Sequence, residues 1–209
     1  MDLLPLPTLT DEPTKHYGSC TFLSIGLIQA MSLIISEAPG ITASIGSGLA
    51  LLEALLSHTT SECHLECVEV ASFRNERKYL PEDKMHYVQG TWQVSSCART
   101  ARAWMFIFPR DLQLVEKYVA AYGDDSVELI LWIGPRDDFP EYENIVKHEK
   151  FNCEGEFGQG VLQQNEMGWL WRHKHVTSNT GGPCQLQSCP DINRGKANSS
   201  VDPLELELI

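Results

Sequence analysis

The sequence ITASIGSGLALLE, residues 41–53, joins a short apolar run to a Leu/Ala-rich segment through two glycines. Residues 41–46 are typical of a strand that ends in a turn, and residues 49–57 are typical of a helix. Gly46 and Gly48 allow the chain to turn tightly off the strand, and they leave no side chain between the backbone and a ligand. The stretch therefore predicts a strand–turn–helix unit whose turn can face a bound molecule.

The alternation of strands and helices continues on both sides of this unit. The further predicted strands are 64–70, 86–90, 103–108 and 127–133, and the predicted helices are 20–37, 111–122 and 137–148. Strands that are apolar on both faces are typical of a parallel sheet covered by helices on both sides. Residues 149–157 and 168–175 are predicted to pair as a hairpin. We expect an α/β fold, with a doubly wound, mostly parallel Rossmann-like sheet, an antiparallel edge hairpin and an N-terminal helix.

The length and composition of the chain suit one domain with modest tails. Of its 209 residues, 43% are hydrophobic, which is enough for a single core. Residues 1–19 are rich in Pro and Thr and are predicted to be a flexible arm. Residues 177–209 carry little apolar mass and are predicted to be disordered. A single Rossmann-like domain is expected between them, over residues 20–176.

The charge and the cysteines bear on partners and location. A formal net charge of −12 favours neither nucleic acid nor an anionic membrane, so both are predicted to be absent as partners. The most apolar stretch, residues 20–35, falls short of the roughly 20 residues that cross a bilayer. Seven cysteines without the spacing of a disulfide framework fit a reducing compartment, so a cytoplasmic location is expected. His173 and His175, with Cys184 and Cys189, could suggest a metal site, but the spacing of the two cysteines does not favour one, and none is predicted.

An acid at the end of the second predicted strand makes the glycine turn a candidate nucleoside site. Glu69 follows Gly48 by 21 residues, and a carboxylate at that place can accept both hydroxyls of a ribose. The alternative is an ordinary strand-end carboxylate that faces water. Leu51 stands where a dinucleotide motif has its third glycine, which argues against NAD or FAD. A ligand without phosphates fits better, and S-adenosylmethionine is the predicted cofactor.

These features together resemble the Rossmann-like S-adenosylmethionine-dependent methyltransferases, over about residues 39–148. In detail the sequence is similar to small fungal methyltransferase-like proteins that share its Ile-Gly-Ser-Gly, Gly-Thr-Trp and Phe-Pro-Arg segments. The resemblance implies that the turn contacts the methionine part, Glu69 the ribose, and the segment after the third strand the adenine. The cofactor-binding residues it implies are Ser44, Gly46, Ser47, Gly48, Glu69, Gly90, Thr91 and Trp92. For Trp92 there is also a physical argument, since an indole can stack on a purine; the alternative is a tryptophan that fills the edge of the core.

The chain departs from the family pattern at several positions. Many of these enzymes carry an acid where this chain has Ser44, and a glycine where it has Ala50. Glu53, one turn into the helix, can compensate for the missing acid or can be an ordinary surface residue. The segment after the fourth strand lacks the Asn/Asp-Pro-Pro-aromatic pattern of enzymes that methylate amino groups on bases. Its Asp111 is a candidate general base, with a helix cap as the alternative.

Two arginines are further candidates for substrate binding. Arg110 and Arg136 follow the fourth and fifth strands, where open sheets place their ligands, and together they could bind an anionic substrate. The predicted function is an S-adenosylmethionine-dependent methyltransferase that acts on a small molecule. The alternatives are a non-catalytic methyltransferase-like binding or partner module, and a methyltransferase fold that catalyses an isomerisation or cyclisation.

Overall fold

The computed structural model describes residues 2–59, 63–146 and 150–174, in which strands and helices alternate. The helices are α1 (Ile25–Ser36), α2 (Leu51–Thr59), α3 (Leu112–Tyr122) and α4 (Phe139–Val146). The strands are β1 (Gly40–Ile45), β2 (Cys63–Val70), β3 (Met85–Val88), β4 (Ala103–Ile107), β5 (Leu129–Pro135), β6 (Phe151–Phe157) and β7 (Glu166–His173).

The strands form one seven-stranded sheet in the order β3-β2-β1-β4-β5-β7-β6. The first five strands pair in parallel, whereas β7 is antiparallel to both β5 and β6. The predicted fold class is confirmed, including the edge hairpin and the N-terminal helix. The strand order reverses between β1 and β4, so a crevice is expected outside the carboxyl ends of these two strands, as in other open α/β sheets.

Alternation along the strands divides the core into two apolar layers. On one face Met105 and Leu131 pack with the buried side of α1 and α2, for example with Leu27 and Leu56. On the other face Ala43 and Ile45 of β1 and Trp104 and Phe106 of β4 pack with α3 and α4. Because successive side chains of a strand point to opposite faces, Ser44 lies on the α2 face of β1.

Helix α1 begins later than the predicted helix over residues 20–37. Ser24 is its N-cap, and the Ser24 hydroxyl accepts a hydrogen bond from the Leu27 amide at 3.1 Å. The preceding residues are extended, since Leu23 exchanges two backbone hydrogen bonds of 2.9 Å with Thr14. The predicted start at Cys20 is therefore wrong, because these backbone groups bond to another segment instead of to a helical turn.

The N-terminal arm contains no helix or named strand in residues 2–19, and it contacts the domain at several points. The Leu4 amide donates to the Lys78 carbonyl at 2.8 Å, and the Ile25 amide donates to the Thr10 carbonyl at 2.9 Å. The flexibility of this arm stays a prediction. The predicted disordered tail, residues 177–209, lies outside the described residues. Across the described ranges, no helix has the length and apolar character required to cross a bilayer.

The core can be tested at Trp104, which is fully buried on β4. Its indole N–H donates to the Ala98 carbonyl at 2.9 Å, and its ring meets Phe106 and Tyr118 edge-on. Trp104→Ala should lower the free energy of unfolding by about 3–5 kcal/mol, measured by urea denaturation. The matched control is Trp92→Ala, since this tryptophan is 69% exposed and its loss should change stability by less than about 0.5 kcal/mol. Equal effects of the two substitutions would contradict the placement of Trp104.

Candidate functional site

The turn between β1 and α2 is held in an unusual backbone conformation. Gly46, Gly48 and Ala50 have φ angles of 82°, 59° and 61°, in the left-handed region that favours glycine. A Cβ atom added to Gly46 or Gly48 would meet no other atom within 4 Å. The glycines are therefore required by the backbone conformation and not by crowding, and the space above the turn is open to a ligand.

The amides of this turn are already used within the protein. The Gly46 and Ser47 N–H groups donate to the Val68 carbonyl at 2.9 and 3.2 Å, and the Gly48 N–H donates to Glu69 Oε2 at 2.6 Å. Turns that bind phosphate leave such N–H groups free to point at the anion. This turn is therefore unsuited to a phosphate cradle and suits a ligand that lacks phosphate at that point.

Glu69 is fixed to the glycine turn and not simply exposed to water at a strand end. Besides the bond from Gly48, its Oε1 accepts from the Val70 amide at 2.8 Å, and the residue is half-buried. An ionised carboxylate offers about four lone-pair sites, so two bonds leave capacity for further donors. The arrangement holds a preoriented carboxylate that can accept hydroxyl groups from a ligand above the turn.

Beneath the turn lies a buried polar pair formed by Ser44 and Glu53. Both side chains are almost inaccessible, at 1% and 2% exposure, and the Ser44 hydroxyl donates to Glu53 Oε1. Burial, supplemented by the negative charge of Glu69, raises the pKa of Glu53 to about 7, although the bond from Ser44 acts in the opposite direction. The interpretation of Glu53 as an ordinary surface residue is therefore wrong. The structure brings this acid of α2 next to position 44, and its compensating role stays a prediction.

The segment after β3 presents an exposed aromatic ring at the same edge of the sheet. The Gln93 amide donates to the Gly90 carbonyl at 3.0 Å and closes a turn around Thr91 and Trp92. The Trp92 ring covers Gly90, where an added Cβ would lie 2.2 Å from it. Since Trp92 is 69% exposed, it does not fill the edge of the core, and most of its surface is accessible to solvent.

The segment after β4 carries a strained residue and a helix cap. Phe108 has a φ of 50°, which is costly for an aromatic residue, and its amide donates to the Ile133 carbonyl at 2.6 Å. Asp111 accepts from the Gln113 amide at 3.0 Å and is the N-cap of α3, which confirms the cap interpretation. Its role as a general base stays a prediction.

Of the two arginines at this rim, one is paired. Arg136 donates to Glu156 Oε1 at 2.7 Å, and this carboxylate raises the pKa of Arg136. Arg110 is exposed. The structure therefore does not bring the two guanidinium groups together as an unpaired anion site.

Neither the burial of Glu53 nor the left-handed backbone conformation of Phe108 was predicted from the sequence. A signal for Glu53 was present, because an acid within the apolar run LLEALL must be buried if the run is buried on all sides. All six residues of that run are buried. For Phe108 no sequence signal exists, since an aromatic residue is seldom found at positive φ.

The residues considered for a metal site are only partly described. His173 is buried and meets the Phe151 ring edge-on at 5.1 Å. His175, Cys184 and Cys189 lie outside the described residues. Within the ranges 2–59, 63–146 and 150–174, no three His, Cys, Asp or Glu side chains are grouped so that they could hold a metal ion.

Comparison with known proteins gives matches at the level of structure. The sequence matches no protein-family model and no curated protein. The methyltransferase domain of bacterial CtHen1-C matches with a TM-score of 0.52 and 14% identity, over 70% of this chain and 96% of that one. The mitomycin 7-O-methyltransferase MmcR matches with a TM-score of 0.51 and 11% identity, over 70% of this chain and 53% of that one. The fold is that of the Rossmann-like methyltransferases.

A third structure of this methyltransferase fold is a putative O-methyltransferase from Nostoc punctiforme PCC 73102. Its TM-score is 0.51 and its identity 12%, over 70% of this chain and 56% of that one. At such identities the likeness establishes the methyltransferase fold, and the roles of individual residues rest on the geometry described above.

The prediction about partners, a small-molecule substrate and no nucleic acid, has to be corrected. The matched structures include a ribosomal protein L11 methylase from Lactobacillus delbrueckii subsp. bulgaricus and the 16S rRNA methylase RmtB, with TM-scores of 0.49 and 0.41. A putative tRNA (m1A22) methyltransferase from Streptococcus pneumoniae also matches, with a TM-score of 0.47. The error lay in using net charge, which sums over the whole chain and does not determine the charge of a local surface.

The buried acid gives a prediction for stability against pH. Because its pKa rises from 4.5 to about 7 on folding, the folded protein holds this proton more tightly than the unfolded chain. The free energy of unfolding then falls as the pH rises from 4.5 to about 7, by about 3 kcal/mol. Glu53→Gln keeps the shape without the charge, so above about pH 8 it should be more stable than the native chain by that amount. Near pH 4.5 the two should be similar, as measured by urea denaturation.

The control for this experiment is Glu116→Gln, on the exposed side of α3. It should shift stability little at either pH, because an exposed carboxylate is solvated in both states. If Glu53→Gln instead changes the free energy of unfolding equally at both pH values, ionisation of Glu53 does not destabilise the fold, which contradicts its raised pKa.

Proposed function

We propose that this chain binds S-adenosylmethionine at the carboxyl ends of β1, β2 and β3 and uses it as a methyl donor. The observation that carries the proposal is the Glu69 carboxylate, which Gly48 holds at the edge of an open glycine turn by a 2.6 Å hydrogen bond. The turn lies at the reversal of strand order, where open α/β sheets bind ligands.

The chemical groups of the cofactor fit the groups that the site offers. The remaining lone pairs of Glu69 suit the two ribose hydroxyls, and the exposed Trp92 ring suits an adenine base. The open space over Gly46 and Gly48 suits the methionine part, since no side chain fills it. The internally bonded turn amides are consistent with a nucleoside that carries no phosphate.

Ser44 has an indirect role in this proposal. Its hydroxyl is bonded to Glu53 and is 1% exposed, so it positions the acid under the turn and does not reach a ligand through its side chain. Gly90 and Thr91 position Trp92 and line the adenine side, as the resemblance implies.

When bound, the cofactor supplies a methyl group on a positively charged sulfonium, which a nucleophile can attack in line. The contribution of this chain is then chiefly orientation, as in other displacements that depend on positioning. Asp111 is the candidate base for a proton of the acceptor. Its carboxylate keeps lone pairs beyond the one used in the cap of α3.

A second candidate function is a non-catalytic module that binds the cofactor or a partner through the same fold. Two observations favour it: Asp111 is engaged in the helix cap, and Arg136 is paired with Glu156. The two candidates differ in turnover and not in cofactor binding.

The proposal is tested by calorimetric titration with S-adenosylmethionine. The native protein should bind with measurable heat, and Glu69→Ala should weaken binding at least about ten-fold, since hydrogen bonds to a charged group contribute about 1.5–3 kcal/mol each. Glu69→Gln keeps an oxygen that can accept from the Gly48 amide. It therefore removes the negative charge while the hydrogen bond to the turn is retained.

Glu66→Ala is the matched control for the Glu69 variants. Glu66 lies three residues earlier on β2, on the opposite face, where its carboxylate contacts His86 at 2.8 Å and Lys84 at 3.4 Å. Its loss should leave the affinity for the cofactor unchanged. Absence of heat with the native protein, or equal weakening by the Glu66 and Glu69 variants, would refute the proposed site.

A further inference from the structure

The loop formed by residues 14–23 is anchored at its base to the far side of the sheet. We call it the N-terminal loop. Thr14 and Leu23 exchange two backbone hydrogen bonds of 2.9 Å, which close the base. Glu166, which is 3% exposed, accepts from the Thr21 hydroxyl at 3.1 Å. Because Glu166 pairs with the last residue of β5, the base lies at the carboxyl edge of the parallel strands, on the β5–β7 side.

The tip of the N-terminal loop, residues 15–20, reaches the segments that follow β1 and β2. The Tyr79 hydroxyl, from the segment after β2, donates to the Tyr17 carbonyl at 3.1 Å. At Gly18 an added Cβ would lie 3.2 Å from the Cβ of Leu49, which directly follows the glycine turn. Since β4 and β5 lie between β1 and β7 in the sheet, the loop extends past the reversal of strand order to the proposed cofactor site.

The base and the tip of this loop are held to very different degrees. Thr21, Leu23 and Ser24 are fully buried, whereas none of residues 15–20 is buried. Among the residues that the structure describes, a single hydrogen bond, from Tyr79, joins the tip to a segment outside the loop. Segments with few buried contacts open locally at a small cost in free energy, while well-packed segments stay closed. The tip can therefore detach while the base stays in place.

We infer that residues 15–20 are a latch at the cofactor site. Leu49, which the tip contacts, follows Gly48 in the chain, and the Gly48 amide fixes Glu69 by its 2.6 Å hydrogen bond. A ligand held by Glu69 therefore lies beside the tip. The latch opens to admit S-adenosylmethionine and to release S-adenosylhomocysteine, while Glu166 keeps the base in place. This inference rests on the proposed function, and it adds the control of cofactor exchange at the same site.

The latch controls the rates of exchange and not the affinity. Its contacts with Tyr79 and Leu49 are made within the protein. A closed state that adds no contact to the ligand does not change the equilibrium between the free and bound forms. Closure therefore slows binding and release in the same proportion, as a gating loop does.

A reversible crosslink between the tip and Leu49 tests the latch. The 3.2 Å between the Cβ positions of residues 18 and 49 is close to the separation of about 3.8 Å that is usual in a disulfide. Gly18→Cys/Leu49→Cys should therefore form a bridge with oxidised glutathione, checked by titration of free thiols. In the bridged protein, release of radiolabelled S-adenosylmethionine into excess unlabelled cofactor should slow by at least about ten-fold. Dithiothreitol should restore the faster rate in the same protein.

Two controls belong to the crosslink. The reduced double variant carries the same substitutions and the same strain at residue 18, whose φ is 86°, so only the bridge differs. The single variants Gly18→Cys and Leu49→Cys are needed because Cys20, on the tip, is an exposed thiol that an added cysteine could reach. The oxidant should leave the release rate of each single variant unchanged. The dissociation constant should be the same for the bridged and reduced forms.

Tyr79→Phe tests the latch without a crosslink. It removes the hydrogen bond to the Tyr17 carbonyl and keeps the ring that packs in the core. Binding and release should both become about two- to ten-fold faster, the net effect of one hydrogen bond, with the dissociation constant unchanged. Tyr122→Phe, at a half-buried tyrosine at the end of α3, is the matched control and should change neither rate.

The outcomes separate the latch from the proposed function. If the native protein does not bind S-adenosylmethionine, the proposed function fails. If it binds, and the bridged and reduced forms release the cofactor at the same rate, the latch is refuted while the cofactor site stands. The latch is also refuted if the bridge weakens binding at equilibrium without slowing release, since the tip then obstructs the site. If the bridge does not form, unchanged rates in Tyr79→Phe refute the latch.

Discussion

The parallel pairing of β1 with β2 on one side and β4 on the other is the constraint on which the site depends. Its register sets Ile45 opposite Val68 and Phe106, so three chain segments leave the sheet at the same edge. The Val68 carbonyl can then accept from the turn amides, and the next residue, Glu69, lies within reach of Gly48. A shift of one residue would turn Ser44 and Glu69 to the opposite face and remove both from the turn.

The site holds two neighbouring carboxylates, and one of them is buried where ionisation is unfavourable. Glu53 lies almost completely buried, and the charge of Glu69 adds to the penalty of ionising it. Such an arrangement lowers the stability of the fold around neutral pH. A cofactor with a positive sulfonium and an ammonium group would offset this repulsion, so the proposed ligand and the electrostatics of the site are mutually consistent.

Sequence patterns predicted the elements well where one rule was sufficient. The continuous apolar runs of β4 and β5 can be buried only in a sheet covered on both faces, and they were identified within two residues of their ends. Glu69 was identified because its position depends on strand order, which the alternation implies. The start of α1 was missed because residues 21–23 bond to Glu166 and Thr14, and such long-range partners leave no local periodicity.

The candidate site was less predictable than the fold for the same reason. Whether Glu53 is exposed or buried depends on the residues that surround α2, and the partner of Arg136 lies on β6. The exclusion of nucleic acid failed because a total charge carries no positional information. Local sequence therefore predicted the turn and its acid, whereas the surrounding polar groups follow from contacts between distant segments.

The hydrogen bond between Phe22 and Glu166 spans 144 residues and joins the arm to the strand pair that closes the sheet. During synthesis the arm leaves the ribosome before its acceptor, which is made only after most of the sheet. The contacts that residues 14–23 make with Glu166 and Leu49 are therefore completed late, after the parallel part of the sheet can assemble. A truncated chain that ends before β7 would lack the Glu166 contacts of the arm even if β1 to β5 were in place.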